Sequence, residues 1–496
     1  SSGMAMAHWE IQGWMILILG WVFVPFYSRS MVYTMPEFLE RRYNPQSRTI
    51  LSVISLVSYV LTKVAVTVYA GGLVFQQVFG IKELWGIDFF WIAAIGLVVL
   101  TALYTIFGGM KSVLYTSVLQ TPILLLGSLI ILVLGFKELG GWDEMMRVCG
   151  AVTVNDYGDT MTNLIRSNDD ANFPWLGALI GSAIIGFWYW CTDQFIVQRV
   201  LSGKNEKEAR RGTIFGAYLK LLPVFLFLIP GMIAFALHQK YIGAGGEGFL
   251  PMLANGTANA DAAFPTLVAK LLPAGVKGLV VCGILAALMS SLASLFNSSA
   301  MLFTIDFYKR FRPETPEKKL VGIGQIATVV IVILGILWIP IMRSVGDVLY
   351  TYLQDVQSVL APGIAAAFLL GICWKRTSAQ GGMWGLIAGM IIGLTRLGAK
   401  VYYSNAGEVA DSTFKYLFYD MNWLFFCGWM FLFCIIVVIV VSLATEAPTA
   451  EKIQGLVFGT ATKEQKAATR ASWDHWDIIH TVIILAITGA FYWYFW

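Results

Sequence analysis

The sequence predicts an all-α integral membrane protein, and three observations carry that reading. Hydrophobic residues make up 57% of the 496 positions and charged residues only 13%, where a soluble chain would carry about 25% charged residues. The mean hydropathy is +0.70. Apolar stretches of about 20 residues, long enough to cross a bilayer core as a helix, recur from one end to the other. They do not alternate as barrel strands do, so backbone groups in lipid must be satisfied by intrahelical bonds.

Twelve such stretches are expected, near 4–27, 48–79, 88–107, 112–136, 174–198, 211–237, 274–304, 321–341, 345–373, 382–403, 422–444 and 476–496. Basic residues orient them. The gaps after the odd-numbered stretches collect Arg41, Arg42 and Arg48, then Lys111, then Arg199 through Arg211, Lys309 through Lys319, Lys375 and Arg376, and Lys452 through Arg470. By the positive-inside rule those gaps are cytoplasmic. The longest outer gap, 137–173, carries more Asp and Glu than Lys and Arg, so the net charge of +4 follows topology and not nucleic-acid binding. Six cysteines are scattered without C-x-x-C spacing, which implies neither a disulfide framework nor a metal cluster. No nucleophile with a neighbouring base and no phosphate loop occurs, which argues against an enzyme and against a bound cofactor.

The first stretch places His8, Trp9 and Glu10 near its outer end. A carboxylate there is expected to avoid lipid, either accepting from a polar ligand or serving a structural ion pair or a headgroup contact. Pro36 then opens a short interfacial helix with acidic residues first and basic ones after. Lys63, deep in the second stretch, is expected to pair with a carboxylate on another helix. Gly108 and Gly109 suggest a tight cytoplasmic turn between the third and fourth stretches.

The fifth stretch contains GFWYWCTDQFIVQRV, Gly186 to Val200. Trp188, Tyr189 and Trp190 offer flat faces with N–H and O–H edges, suited to a sugar ring, although an aromatic belt at the lipid interface has the same composition. Asp193 and Gln194 at this depth must face protein or a water-filled cavity. In the sixth stretch Lys220 sits just before Pro223, which frees a backbone carbonyl and lets the helix bend. Lys220 can donate to sugar hydroxyls or snorkel to the cytoplasmic face.

In the seventh stretch Ala287, Ser290 and Ser291 share one helix face. Two hydroxyls and a carbonyl suit a hard cation such as sodium, and small residues at this spacing equally suit helix packing. The ninth stretch carries Tyr350, Gln354, Asp355 and Gln357 ahead of Pro362 and Gly363, which are expected to break the helix. The stretches after 380 show little inward polarity, and 445–474 is a polar cytoplasmic linker.

WYWCTDQFIVQR, FGGMKSVLYTSVLQ and MSSLASLFNS closely resemble segments of the sodium/glucose cotransporters, within the solute:sodium symporter family. The resemblance covers essentially the whole chain. It implies a LeuT-like fold of two inverted five-helix repeats around a midplane site. On that division 1–136 is the first repeat without its first broken helix, 137–173 an outer loop, 174–373 the second repeat with the sugar and sodium sites, and 374–496 peripheral helices. Two N-terminal helices are expected to be missing, since relatives have 14 spans and Ser1 nearly opens the first one here.

The resemblance further implies Glu10, Tyr189, Trp190, Lys220 and Gln354 as substrate-binding residues. It implies Trp9, Tyr189 and Tyr350 as gates, and Ala287, Ser290 and Ser291 as sodium ligands. Ser117 stands where two-sodium members carry Asp, and Ala293 where some carry a hydroxyl, so a single coupled sodium is expected. Gly186 and Gly13 replace polar residues near the site, which leaves the sugar open. The expectation is sodium-coupled uptake of a glucose- or galactose-like monosaccharide across a cell membrane, a bacterial inner membrane in particular. The alternatives are a symporter for myo-inositol, a sialic acid or a carboxylate, and a sugar-gated sensor that accumulates nothing. Partners are the sugar, sodium and the lipid bilayer, and the oligomeric state is left open.

Overall fold

The computed structural model describes residues 3–253, 256–345, 349–405 and 410–496, the side chains of 104, 106–114, 116, 117, 119, 342–345 and 351 excepted. Its helices follow the apolar stretches. In chain order they are α1 (Gly3–Ser30), α2 (Met35–Arg42), α3 (Pro45–Phe79), α4 (Phe89–Leu139), α5 (Trp142–Gly150), α6 (Trp175–Thr192), α7 (Gln194–Leu201) and α8 (Glu206–Gly243). There follow α9 (Ala263–Leu271), α10 (Ala274–Phe311), α11 (Glu317–Val345), α12 (Leu349–Cys373), α13 (Ala379–Asn405), α14 (Trp423–Ala444), α15 (Lys463–Ala471) and α16 (His475–Tyr494). Among the described residues, 11 helices are long and apolar enough to cross a membrane.

That is one fewer than expected, and the difference lies in α4. The expected spans near 88–107 and 112–136 form one continuous helix, without the turn expected at Gly108 and Gly109. Within it Gln120–Leu139 reaches the length of a span and Phe89–Leu103 falls short. A glycine costs a helix interior about 1 kcal/mol relative to alanine, too little to end a helix with long apolar flanks. Pro362 and Gly363 likewise lie inside α12 and do not break it. Gly363 serves a close crossing instead, since a Cβ there would stand 2.9 Å from the Cα of Gly389 on α13.

Side-chain caps set several starts. Thr34 accepts from the Glu37 N–H at 3.2 Å to open α2, with Pro36 in its first turn. Asn44 and Asn205 do the same for α3 and α8. Three interruptions matter more for function. The chain of α1 turns at Ile11 and Gln12, between Glu10 and Gly13. Helix α6 ends at Asp193, which is extended (φ −79°, ψ 127°) before α7 begins. A wide π turn, Val224–Leu228, follows Pro223 in α8, because proline lacks the N–H that would continue the α ladder.

The break at Asp193 is tied down from α3. Lys63 donates to Asp193 Oδ2, the Tyr59 hydroxyl donates to Oδ1 at 2.8 Å, and Oδ1 also accepts the Phe195 N–H at 3.1 Å. The Lys63 ammonium lies 4.2 Å from the Phe195 ring centroid, 4.8 Å from Tyr59 and 5.0 Å from Tyr189. Lys63 thus has the carboxylate partner on another helix that its depth demanded. Removing one member of a buried pair strands the other charge, at a cost of about 3–5 kcal/mol. Lys63→Met is therefore expected to lower the melting temperature of the detergent-solubilised protein markedly, and adding Asp193→Leu to restore part of it. Melting of the single variant within a degree of the parent would show that the pair does not hold the break.

Candidate functional site

The break in α1 turns the Glu10 carboxylate inward. Its Oε2 accepts from Lys220 Nζ at 2.7 Å, and its Oε1 from the Tyr350 hydroxyl at 2.7 Å. Residues 210 and 340 positions away in sequence thus converge on one carboxylate. The Lys220 ammonium also lies over the Trp190 face, 5.6 Å from the centroid. Lysine sits three residues ahead of Pro223, so it does not snorkel to the cytoplasmic face but reaches across to α1 and α6. Trp190 in turn meets Tyr189 edge to face, with centroids 5.0 Å apart and planes at 83°.

Gln354 follows Tyr350 by one turn of α12. The Gln354 Oε1 is buried with no hydrogen-bond partner among the described residues, as are Trp9 Nε1 and Asp355 Oδ1. Glu10, Lys220, Trp190 and Tyr189 are linked contact by contact, and Tyr350, one turn ahead of Gln354 on α12, joins them through Glu10.

Glu10 and Tyr350 line a cavity of about 580 Å³, together with Phe227, Phe235, His238, Gln239, Thr257 and Asp261. Lys220, Tyr189, Trp190 and Gln354 are not among the residues that line it. A second cavity, of about 610 Å³, is lined by residues near the cytoplasmic helix ends, among them Tyr27, Tyr33, Gln198, Glu206 and Asn297, and shares no residue with the first.

Trp9 is placed differently. Its ring stacks on Trp423 at 5.4 Å and meets Phe173 edge-on at 5.6 Å, while Tyr350 is engaged with Glu10. The two residues expected to gate together therefore have different partners in this state. Asp193 and Gln194 face protein and not a cavity: Gln194 Oε1 accepts the Met35 N–H at 2.8 Å, and its Nε2 donates to the Tyr33 carbonyl at 3.2 Å.

Sequence reasoning missed Gln12, a buried amide two residues past Glu10 whose Nε2 donates to the Ser182 carbonyl at 2.8 Å. A Cβ on Gly186 would stand 2.6 Å from Gln12 Oε1. The glycine that seemed only to delete a polar contact is thus what admits this amide. A glutamine within an apolar stretch and so near a carboxylate was the available signal.

On α10, Ser290 is buried and Ser291 exposed, on the same helix face as Ala287. The Ser294 hydroxyl donates to the Ser290 carbonyl at 3.0 Å. Ala293 is buried and offers only its carbonyl, which accepts from Asn297 Nδ2 at 3.0 Å. The side chain of Ser117 lies outside the described residues.

A sequence model of the sodium:solute symporter family matches residues 1–389. A sodium/mannose cotransporter of Bos taurus is 36% identical, with 97% of this chain and 83% of the relative covered. The human sodium/myo-inositol cotransporter 2 is 35% identical over 93% of this chain and 69% of its own. A sodium/glucose cotransporter 4 of Danio rerio is 34% identical over 95% and 73%. Among solved structures, a Na+-coupled sialic acid symporter in a substrate-bound, outward-open state superposes with a TM-score of 0.68 at 21% identity, over 90% of this chain and 86% of its own. That likeness speaks for the fold, which is LeuT-like. A multi-pass membrane protein with sodium as its coupling ion and no enzymatic role, the chain belongs to the sodium:solute symporter family.

Proposed function

We propose that the protein takes up a monosaccharide or closely related polyol by sodium-driven alternating access. The observation that carries this is the cluster around Glu10, which meets the cavity through Glu10 and Tyr350. Glu10 supplies acceptors, Lys220 donors, Gln354 an acceptor without a partner, and Trp190 and Tyr189 flat rings, which is what a hydroxyl-rimmed ring with apolar faces requires. The mannose, glucose and myo-inositol carried by the named relatives share that chemistry. An anionic solute is less favoured, because Lys220 is already matched by Glu10.

On this reading the ion pair is the resting occupant of the site. Sugar hydroxyls entering from the outer cavity take over the Glu10 oxygens and the Lys220 donors, so little net hydrogen bonding is lost as the pair opens. Tyr189 covers the inward exit, and Trp9 and Tyr350 shut the outer one. Sodium sits on the Ala287 carbonyl and the Ser290 and Ser291 hydroxyls, with further oxygens from another segment, since hard cations of this size take about six. The methyl of Ala293 adds no second cation ligand, consistent with one sodium per sugar.

Residues 1–136 and 174–373 would then be the two inverted repeats, joined by the outer loop 137–173 and flanked by 374–496. One sodium falling through about 100 mV yields roughly 2.3 kcal/mol, and a tenfold concentration ratio adds about 1.4. Together these support a several-hundredfold sugar gradient. The proposed setting is the plasma membrane, including a bacterial inner membrane.

Uptake of labelled glucose, galactose, mannose and myo-inositol into proteoliposomes, with and without a sodium gradient, tests the reading. Accumulation of at least one above equilibrium, only with sodium, is expected; sodium current without accumulation would replace the symporter by a sensor. Ser291→Ala is expected to raise the sodium concentration for half-maximal uptake by about tenfold or more, and unchanged sodium activation would remove α10 from the ion site. Gln354→Ala is expected to raise the half-saturating sugar concentration by about five- to a hundredfold, the effect of losing one or two hydrogen bonds in a buried site. An unaltered value would move the sugar elsewhere.

A further inference from the structure

The outer segment between α8 and α10 carries an aspartate with no role in the cluster above. Asp261 lies in a 3-10 turn, Ala260–Ala262, held by the Asn259 side chain, which accepts the Asp261 N–H at 3.1 Å. Its carboxylate reaches the start of α12. Both oxygens accept the Leu349 N–H, each at 3.1 Å. Leu349 precedes Tyr350, whose hydroxyl holds Glu10, and Gln354 follows one turn later. Asp261, Tyr350 and Glu10 all line the outer cavity.

We propose that Asp261 is a positioning residue, a strut from the outer loop that fixes the end of α12 and so sets Tyr350 and Gln354 against the sugar. The inference rests on the sugar-symport reading and adds a residue that touches neither sugar nor sodium. The physical basis is local. The Leu349 N–H, at the first described residue of α12, has the Asp261 carboxylate as its acceptor, a charge-assisted contact. Among the described residues, which exclude the side chain of Arg343, the hydrogen-bond partner of the Asp261 carboxylate is the Leu349 N–H.

Burial raises the Asp261 carboxyl to about 6, although the Leu349 N–H opposes the rise. The strut is thus charged at neutral pH and loses its charge as external pH falls through that value. Among the described residues, Tyr350 on α12, Glu10 and His238 line the same cavity as Asp261, and Lys270 on the adjoining α9 donates to the Phe249 carbonyl at 2.8 Å. His238 Nδ1 accepts the Leu250 N–H at 3.1 Å.

The test is sodium-driven uptake by the full chain in proteoliposomes, using whichever of glucose, galactose, mannose or myo-inositol it accumulates, at external pH 7.5 and 5.5. For the parent, the half-saturating sugar concentration is expected to rise about three- to fivefold at the lower pH, with a smaller change in maximal rate. Asp261→Asn keeps the shape but cannot titrate, and its half-saturation should be flat across that range. Asp261→Ala should raise half-saturation about fivefold at pH 7.5, the size of a lost helix cap. A pH profile in Asp261→Asn matching the parent's would assign the titration to His238 or elsewhere and overturn the strut, as would a pH-flat parent. If the parent accumulates no sugar, the symport reading itself fails; if it does and the variants match it, only the strut falls.

Discussion

A carboxylate within a membrane-spanning helix must be met by the protein, and the fold around Glu10 follows from that constraint. An isolated charge at this depth is costly, so Glu10 draws a lysine from α8 and a tyrosine from α12 onto a broken turn of α1. The same rule governs Lys63 and Asp193, whose pairing anchors the break between α6 and α7. The breaks at Ile11–Gln12 and at Asp193 each coincide with a polar group that has its partner on another element. The broken helices and the charges in them are two sides of one arrangement.

The arrangement makes the site exchangeable. In the cluster the two Glu10 oxygens are met by Lys220 and Tyr350, and Gln354 Oε1 has no partner among the described residues. A ligand with alternating hydroxyls can replace those contacts one for one. A purely apolar ligand would strand Glu10 and Lys220, and an anion would compete with Glu10 for its only cation. On the proposed reading, preference for polyols follows from charge balance before any detail of shape.

Much of the fold was legible in the sequence because lipid exposure writes a strong signal. Nearly every expected stretch became a helix, and Lys63 was expected to find a carboxylate because nothing near it in sequence could serve. The misreadings share a cause. Gly108–Gly109 and Pro362–Gly363 were read as local breakers, whereas helix continuity was decided by flanking apolar length and, for Gly363, by the approach of α13. The role of Gln12 and the strut from Asp261 depend on long-range approach, which no local pattern encodes. Trp9 pairs with Phe173 and Trp423 for the same reason.

The central claim is that Glu10 and Lys220 act as one unit that a sugar opens. A double-mutant cycle with Glu10→Gln, Lys220→Gln and the pair, read by the half-saturating sugar concentration of sodium-driven uptake, tests it most directly. The account predicts that each single change weakens sugar binding by more than about tenfold and that the double change is little worse than either, the signature of coupled residues. Fully additive effects, or a Glu10→Gln protein with unchanged half-saturation, would contradict it.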